Sequence, residues 1–172
     1  TNGGMKIFLI GFMGSGKSYL GRLLGQKLGI PFFDLDEQVT THAGKSIPEI
    51  FDTEGEEHFR LLEKEVLFMI TESHDSFILA TGGGTPCFFN NIDYMNRSGT
   101  TVWIHTPVSV LFERLVKERP GRPLIRNLTD DQSMAFIFRK YSDRKIYYEQ
   151  ATVTIDEEPV DIDKLVEKIF HA

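Results

Sequence analysis

The segment at residues 11–18 constrains this chain more than any other, because it reads Gly-Phe-Met-Gly-Ser-Gly-Lys-Ser. It matches the pattern G-x-x-x-x-G-K-S and lies between an apolar run typical of a buried strand, residues 6–10, and a helical pattern, residues 17–28. Glycines let the backbone wrap so that successive N–H groups point at phosphate oxygens, and the helix adds the positive end of its dipole. The segment therefore predicts a site for a nucleoside triphosphate.

Each polar residue of this segment has an expected role. Lys17 is expected to reach the β- and γ-phosphates, and the hydroxyl of Ser18 can ligate Mg²⁺. The residues predicted to bind the nucleotide here are Gly14, Ser15, Gly16, Lys17, Ser18 and Tyr19.

The rest of the chain alternates apolar runs of strand length with stretches of helical period. The runs at 32–34, 77–80, 101–105 and 153–155 predict four further strands. Capping-box patterns from Ser46 to Glu49 and from Thr129 to Gln132 predict two helix starts, and residues 162–169 predict a terminal amphipathic helix. Strands that alternate with helices form parallel sheets. We therefore expect one α/β domain over residues 5–172, with residues 1–4 a cloning remnant outside the fold.

Composition narrows the class of protein. Of 172 residues, 41% are hydrophobic and 26% are charged, a balance typical of soluble globular proteins. Cys87 is the single cysteine, so an internal disulfide is excluded, and no apolar run approaches the roughly 18 residues that span a bilayer. The five histidines have no metal-ligand spacing. These features predict a cytoplasmic enzyme.

The charge distribution predicts a local anion site. The net charge of −6 argues against nucleic acid or an anionic membrane as the main partner. Residues 114–145, however, hold nine basic and four acidic residues. Any one of these basic residues could be a solvated charge on a helix face, but the group favours an anionic ligand.

Two acids follow the second predicted strand, at Asp34 and Asp36. Ligands of parallel α/β sheets bind at the carboxyl ends of the strands, so both acids should lie near the phosphates. One carboxylate could help to hold Mg²⁺ through water, and the other could accept a proton from a substrate hydroxyl. The alternative is that Asp36 only caps the next helix.

Three glycines and two arginines are candidates for a second substrate. Gly82, Gly83 and Gly84 follow the third predicted strand and indicate either a flexible turn or a close approach of the backbone to a ligand. Arg60 and Arg144 lie on predicted helices. A helical arginine is often a solvated charge, but a guanidinium also suits a substrate carboxylate.

Six motifs in order resemble the shikimate kinases, and the resemblance spans almost the whole chain. They are Gly-Phe-Met-Gly-Ser-Gly-Lys-Ser, Phe-Asp-Leu-Asp, Ile50-Phe51 through Gly55-Glu56 to Phe59-Arg60, the triple glycine, Arg122-Pro123-Leu124, and Arg144-x-x-x-Tyr148. The resemblance implies a five-stranded parallel sheet flanked by helices, of the nucleoside monophosphate kinase type. It also implies transfer of the ATP γ-phosphate to the 3-hydroxyl of shikimate, by an enzyme that is usually monomeric.

The resemblance assigns roles to individual residues. Asp34 would help to hold Mg²⁺ beside Ser18, and Asp36 would bind the hydroxyls of shikimate and act as the base. Arg60 and Arg144, with the backbone of residues 82–84, would hold the shikimate carboxylate and ring. Arg122 would belong to a mobile lid at residues 118–127 and reach the ATP phosphates. The lid is short for this family, which leaves open whether Lys117 or Arg119 lies against the adenine and whether Pro159 forms the opposite wall.

Three other functions are considered. Asp52-Thr53-Glu54-Gly55 matches the D-x-x-G pattern of GTPases, but the guanine-reading Asn-Lys-x-Asp sequence does not occur. A noncatalytic nucleotide-binding module is disfavoured because Lys17, Asp36 and Arg60 are all present. A kinase for another polyol acid, such as gluconate, is the nearest rival.

Overall fold

The computed structural model describes residues 4–122, 124–156 and 159–172. Within these residues, five parallel strands form one sheet in the order β2-β3-β1-β4-β5. The strands are β1 (Lys6–Ile10), β2 (Phe32–Asp34), β3 (Phe77–Ala80), β4 (Thr100–Ile104) and β5 (Val153–Ile155). The parallel α/β fold that the sequence predicts is confirmed. Leu9 and Asp34 both pair with Ala80, so the carboxyl ends of β1, β2 and β3 meet at one edge.

Eight helices connect or flank the strands of the described chain. They are α1 (Lys17–Leu28), α2 (Leu35–Ala43), α3 (Ile47–Glu54), α4 (Glu56–Ser73), α5 (Asn91–Ser98), α6 (Val108–Lys117), α7 (Asp130–Tyr148) and α8 (Ile162–Phe170). Both predicted capping boxes are formed, by Ser46 with Glu49 and by Thr129 with Gln132. The sequence did not predict α5, and it indicated α2 only through the alternative in which Asp36 caps a helix. None of the described helices is long and apolar enough to cross a membrane.

Helices cover both faces of the sheet, and alternate residues of each strand point to opposite faces. Ile7 and Leu9 of β1 belong to a core that includes Leu24 of α1 and Leu165 of α8. Phe8 and the other alternate residues of β1 face a larger core, to which α3, α4 and α7 contribute. The resulting three layers leave the carboxyl edge of the sheet open as a cleft.

The two ends of the described chain lie at the opposite, amino edge of the sheet. The backbone N–H of Met5 donates to Ser76 Oγ at 3.0 Å, just before β3 begins. Gly4, Met5 and Ile169 line the same groove at this edge. The end of α8 therefore returns close to the start of β1, away from the cleft. Of the predicted remnant, residues 1–3 lie outside the described residues.

Candidate active site

The predicted phosphate-binding loop connects β1 to α1 and is held in one conformation. Gly14 and Gly16 have φ values of 84° and 86°, which favour glycine, and Gly16 is the N-cap of α1. A Cβ on Gly11 would lie 2.8 Å from the carbonyl oxygen of Ile104, so the loop also packs closely against β4. The backbone thus adopts the left-handed turns that the glycine pattern predicts.

Lys17 lies buried inside this loop. Its Nζ donates to the carbonyl oxygens of Gly11, at 2.6 Å, and of Phe12, at 3.1 Å. Burial lowers the pKa of Lys17 to about 8, although the charge of Asp36 opposes this shift. An anion that enters the loop would offset the free-energy cost of burying the Lys17 ammonium.

The end of β2 brings Asp34 to the start of α1. Ser18 Oγ donates to Asp34 Oδ2 at 2.7 Å. The other oxygen of Asp34 accepts from the backbone N–H of Asp36, at 3.0 Å, and of Glu37, at 3.3 Å, and so caps α2. The alternative in which Asp36 is the cap is therefore wrong. Asp36 lies in the first turn of α2, and its side chain lines the cleft.

Asp36 lies in an environment that favours its neutral form. Burial, together with the charges of Glu63 and Asp34, raises the pKa of Asp36 to about 6. Lys17 and Arg60 oppose the shift but do not cancel it. The Asp36 carboxyl group therefore titrates close to neutral pH, as expected for a residue that exchanges protons with a substrate.

A cavity of about 720 Å³ opens beside the phosphate-binding loop. Asp34, Arg122 and Pro159 line it, and Tyr19 lies at its rim with 71% of its surface exposed. Arg114 also lines this cavity, and its Nη1 donates to the carbonyl oxygen of Gly14 at 2.8 Å. The sequence analysis counted Arg114 among the basic residues but assigned it no role, because its approach to the loop depends on how α6 packs.

The residues considered for the adenine lie in different surroundings. Arg119 Nη1 lies 2.6 Å from Asp130 Oδ1 and also donates to the carbonyl oxygen of Leu128. Arg119 is thus held by the start of α7, whereas Pro159 lines the cavity. Lys117 is exposed at the end of α6.

A second cavity of about 540 Å³ adjoins the first and contains the predicted acceptor residues. Arg60, Arg144 and the three glycines line it, and α3 and α4 contribute an apolar wall that includes Phe51 and Phe59. The sequence analysis assigned no role to that wall, because a phenylalanine at helical spacing is usually core. Arg60 is only 8% exposed, so the interpretation that it is a solvated charge on a helix surface is wrong.

The triple glycine is a point of close approach rather than a flexible turn. A Cβ on Gly82 would lie 3.3 Å from Asp36 Oδ1, and one on Gly83 would lie 3.0 Å from Arg144 Nη1. On Gly84, a Cβ would lie 2.6 Å from Arg60 Nη2. Any side chain at these positions would displace a charged group of the cleft.

A buried carboxylate, Glu63, connects Arg60 to this glycine segment. Arg60 Nη1 donates to Glu63 Oε1 at 3.1 Å, and the hydroxyl of Thr85 donates to Glu63 Oε2 at 2.7 Å. Thr85 Oγ1 in turn accepts from the backbone N–H of Gly82 at 2.9 Å. The sequence analysis missed Glu63, because its only signal was the spacing of three residues from Arg60.

The predicted lid contains no α-helix among its described residues. Residues Arg119–Gly121 form a 3-10 turn, and Pro123 lies outside the described residues. Acidic neighbours offset the repulsion between the arginines of the lid, because Arg122 Nη2 lies 2.6 Å from Glu118 Oε1 and Arg119 is paired with Asp130.

The Asp-Thr-Glu-Gly pattern does not belong to the cleft in the way that a GTPase switch requires. Asp52, Thr53 and Glu54 lie in the last turn of α3, and Gly55 separates this helix from α4. Gly55 donates its N–H to the carbonyl oxygens of Ile50 and Phe51, so the pattern is explained by a helix end.

Comparison with known proteins identifies relatives over nearly the full chain. A family described as shikimate kinase matches residues 13–172. The shikimate kinase of Bacteroides fragilis is 43% identical over 86% of this chain and 82% of its own length. The crystal structure of the shikimate kinase of Bacteroides thetaiotaomicron has a TM-score of 0.89 and 35% identity, with 98% of each chain covered.

Two further solved structures resemble this chain. The shikimate kinase of Acinetobacter baumannii, solved in complex with shikimate, has a TM-score of 0.81 and 33% identity over 97% of this chain and 91% of its own. A gluconokinase from Sinorhizobium meliloti is more distant, with a TM-score of 0.55 and 19% identity over 97% of this chain and 90% of its own. The likeness to the gluconokinase concerns the fold alone.

Proposed function

The chain belongs to the shikimate kinase family, and from that premise we propose that its cleft transfers the γ-phosphate of ATP to the 3-hydroxyl of shikimate. The products are shikimate 3-phosphate and ADP. Members of this family are ATP-dependent kinases, and this chain is one of them.

The continuity of the two cavities is the observation that carries the proposal. Met13, Asp36, Gly82, Gly83 and Arg122 line both the cavity beside the phosphate-binding loop and the cavity that holds Arg60 and Arg144. A γ-phosphate in the first cavity and a hydroxyl in the second would therefore meet beside Asp36. Phosphoryl transfer depends mainly on such positioning and on electrostatic stabilisation.

In the proposed reaction, Asp36 accepts the proton of the 3-hydroxyl while that oxygen forms a bond to the γ-phosphorus. The bond between the γ-phosphorus and the β–γ bridging oxygen breaks, and its electron pair leaves with ADP. The near-neutral pKa of Asp36 supports this role, because a base of that strength is ionised at neutral pH and still accepts a proton.

Two cations stabilise the charge that develops on the phosphates. Lys17 is already desolvated in the loop, so its attraction to the β- and γ-phosphates is stronger than that of an exposed lysine. Arg122 lines both cavities and exchanges its contact with Glu118 for the phosphates when the lid closes. Closure also excludes water, which would otherwise accept the phosphoryl group.

Arg60 and Arg144 would bind the carboxylate of shikimate. Both guanidinium groups approach the glycine segment, at Gly84 and Gly83 respectively, so they converge on one part of the acceptor cavity. A guanidinium pairs with a carboxylate through two parallel hydrogen bonds. This arrangement favours a small carboxylic acid over a neutral sugar.

The start of α1 and the end of β2 fit a magnesium ion. Ser18 Oγ and Asp34 Oδ2 lie 2.7 Å apart beside the loop, and Mg²⁺ prefers oxygen ligands, of which the protein usually supplies one or two. Within the described ranges, no group of three or more His, Cys, Asp and Glu side chains could hold a metal. We propose that Ser18 ligates the ion and that Asp34 helps to hold it. When bound, the ion neutralises charge on the β- and γ-phosphates.

Release of ADP against shikimate, gluconate and no acceptor tests the proposal. We expect ADP release that depends on shikimate in the wild type and is lost in Asp36→Asn. Glu37→Gln is the matched control, because Glu37 is the exposed carboxylate next along α2. Faster release with gluconate would assign the chain to another acceptor, and no release with any acceptor would make it a noncatalytic nucleotide-binding module.

A further inference from the structure

Phe88 follows the triple glycine and contacts the proposed acceptor site. Its ring is half-buried, and neither of the two hydrophobic cores of the described chain includes it. The ring lies instead against Arg60, whose Cζ is 4.2 Å from the ring centroid. The face of an aromatic ring attracts a cation at this distance. Phe88 therefore serves as a platform for a guanidinium rather than as core material.

Other groups hold the remaining sides of the Arg60 guanidinium. Glu63 accepts from Nη1, and Nη2 lies only 2.6 Å from the position that a Cβ on Gly84 would occupy. The buried Nε donates no hydrogen bond within the described residues, and Glu56 Oε2 lies 3.5 Å from it. A buried donor of a charged group is costly to leave without an acceptor. The orientation of the guanidinium is thus fixed, but the group can still donate hydrogen bonds to an anionic ligand.

The segment after Phe88 has a strained backbone. Phe89 and Asn90 are consecutive non-glycine residues with φ values of 49° and 59°. The buried side chain of Asn91 holds this turn, because its Nδ2 donates to the carbonyl oxygen of Thr85 at 3.0 Å. Such strain persists where the surrounding structure enforces it, and it is concentrated at functional sites.

We propose that Phe88 is a positioning residue that holds the Arg60 guanidinium in the plane required to bind the carboxylate of the acceptor. The proposal rests on the proposed role of Arg60. Without the ring, water would reach the open face of the guanidinium and its rotamers would widen, so a two-pronged pair with a carboxylate would form less often. The nucleotide should bind as before, since the described lining of its cavity does not include Phe88.

Substitutions of Phe88 separate this role from simple packing. We expect Phe88→Ala to raise the KM and the calorimetric Kd for shikimate by about 3- to 30-fold, the range of a partly desolvated cation–π contact. We expect kcat and the KM for ATP to change by less than about twofold. Phe88→Leu fills the space without an aromatic face and should lose most of the affinity, whereas Phe88→Tyr should restore it. Phe68→Ala, on the exposed face of α4, is the matched control.

Binding of the uncharged methyl ester of shikimate completes the test. Phe88→Ala should not weaken binding of the ester. In the double variant with Arg60→Ala, Phe88→Ala should cause no further loss of affinity for shikimate. Affinity for shikimate in Phe88→Leu equal to that of the wild type would overturn the proposal. An equal loss for acid and ester in Phe88→Ala would also overturn it. Turnover of shikimate by the wild type tests the proposed function separately, so the two failures are distinguishable.

Discussion

Asp36 determines how the proposed reaction depends on pH. Because burial raises the pKa of Asp36 to about 6, its carboxylate form is lost as the pH falls through that value, and turnover should fall with it. Asp36→Asn should lower kcat by about 10²- to 10⁴-fold and remove this acidic limb, because an amide does not titrate. Profiles of kcat/KM from pH 5 to pH 9 for both proteins are the measurement, because kcat/KM reports the pKa values of the free enzyme. A limb that persists in Asp36→Asn would assign the titration to another group.

Lys17 should take up a proton when the nucleotide binds. Burial lowers its pKa to about 8, so part of the population is neutral at pH 8, and the phosphates would favour the charged form. Calorimetric titration with ATP at pH 8, in buffers of different ionisation enthalpy, should detect proton uptake. Lys17→Met should abolish both the uptake and the phosphoryl transfer. Transfer at nearly the wild-type rate in Lys17→Met would contradict the role of the loop.

Residues with a local sequence signal were predicted, whereas those that act through packing were not. The glycine pattern around Lys17 defines its own backbone, so that loop is predictable from a few neighbouring residues. Thr85 and Phe88 acquire their roles only when the segment before α5 packs against α4, where Thr85 contacts Glu63 and Phe88 contacts Arg60. No spacing in a single sequence encodes such a contact.

The lid is the element for which the nucleotide should change the conformation most. Arg122 must leave Glu118 to reach the phosphates, and an exposed ion pair of this kind is worth up to about 1 kcal/mol. Glu118→Gln should therefore lower the KM for ATP by up to about fivefold. Glu113→Gln, at an exposed position of α6, is the control.

Hydrogen exchange measures lid closure directly. The amides of residues 118–127 should exchange quickly in the free protein and slowly with nucleotide and shikimate bound. Equal, fast exchange in both states would contradict closure.

Helix α3 connects local stability to acceptor binding. Ser46 caps this helix, whose residues Ile47 and Phe51 line the acceptor cavity. Ser46→Ala should lower the free energy of unfolding by about 0.5–2 kcal/mol and also raise the KM for shikimate. Asp161→Ala removes a comparable cap from α8, on the other face of the sheet, and should destabilise without changing that KM. Denaturant melts and steady-state kinetics of both variants test the connection.

The bounds of α2 and α5 were not predicted, for different reasons. Asp34 is both the last residue of β2 and the N-cap of α2, so neither glycine nor proline separates strand from helix. Asn90 precedes α5 in the left-handed conformation and makes no side-chain cap hydrogen bond. Helices α3 and α7, in contrast, begin with complete capping boxes and were predicted.

At the scale of the whole molecule, the two cores should affect function differently. Leu165 of α8 and Leu67 of α4 are both fully buried. Helix α4 also carries Arg60 and Glu63. Each Leu→Ala substitution should lower the free energy of unfolding by about 2–5 kcal/mol. Only Leu67→Ala should also raise the KM for shikimate. Equal effects of both substitutions on that KM would mean that the cleft depends on both cores.

The amino-edge groove lined by Gly4, Met5 and Ile169 brings the start of β1 and the last turn of α8 to the same side of the sheet. A short peptide linker could join the two ends there without crossing the cleft, which lies at the opposite edge of the sheet. Cyclisation restricts the unfolded chain more than the folded one, so it should raise the unfolding temperature. Permuted forms that are joined at this edge and opened in an exposed loop away from the cleft should therefore remain active.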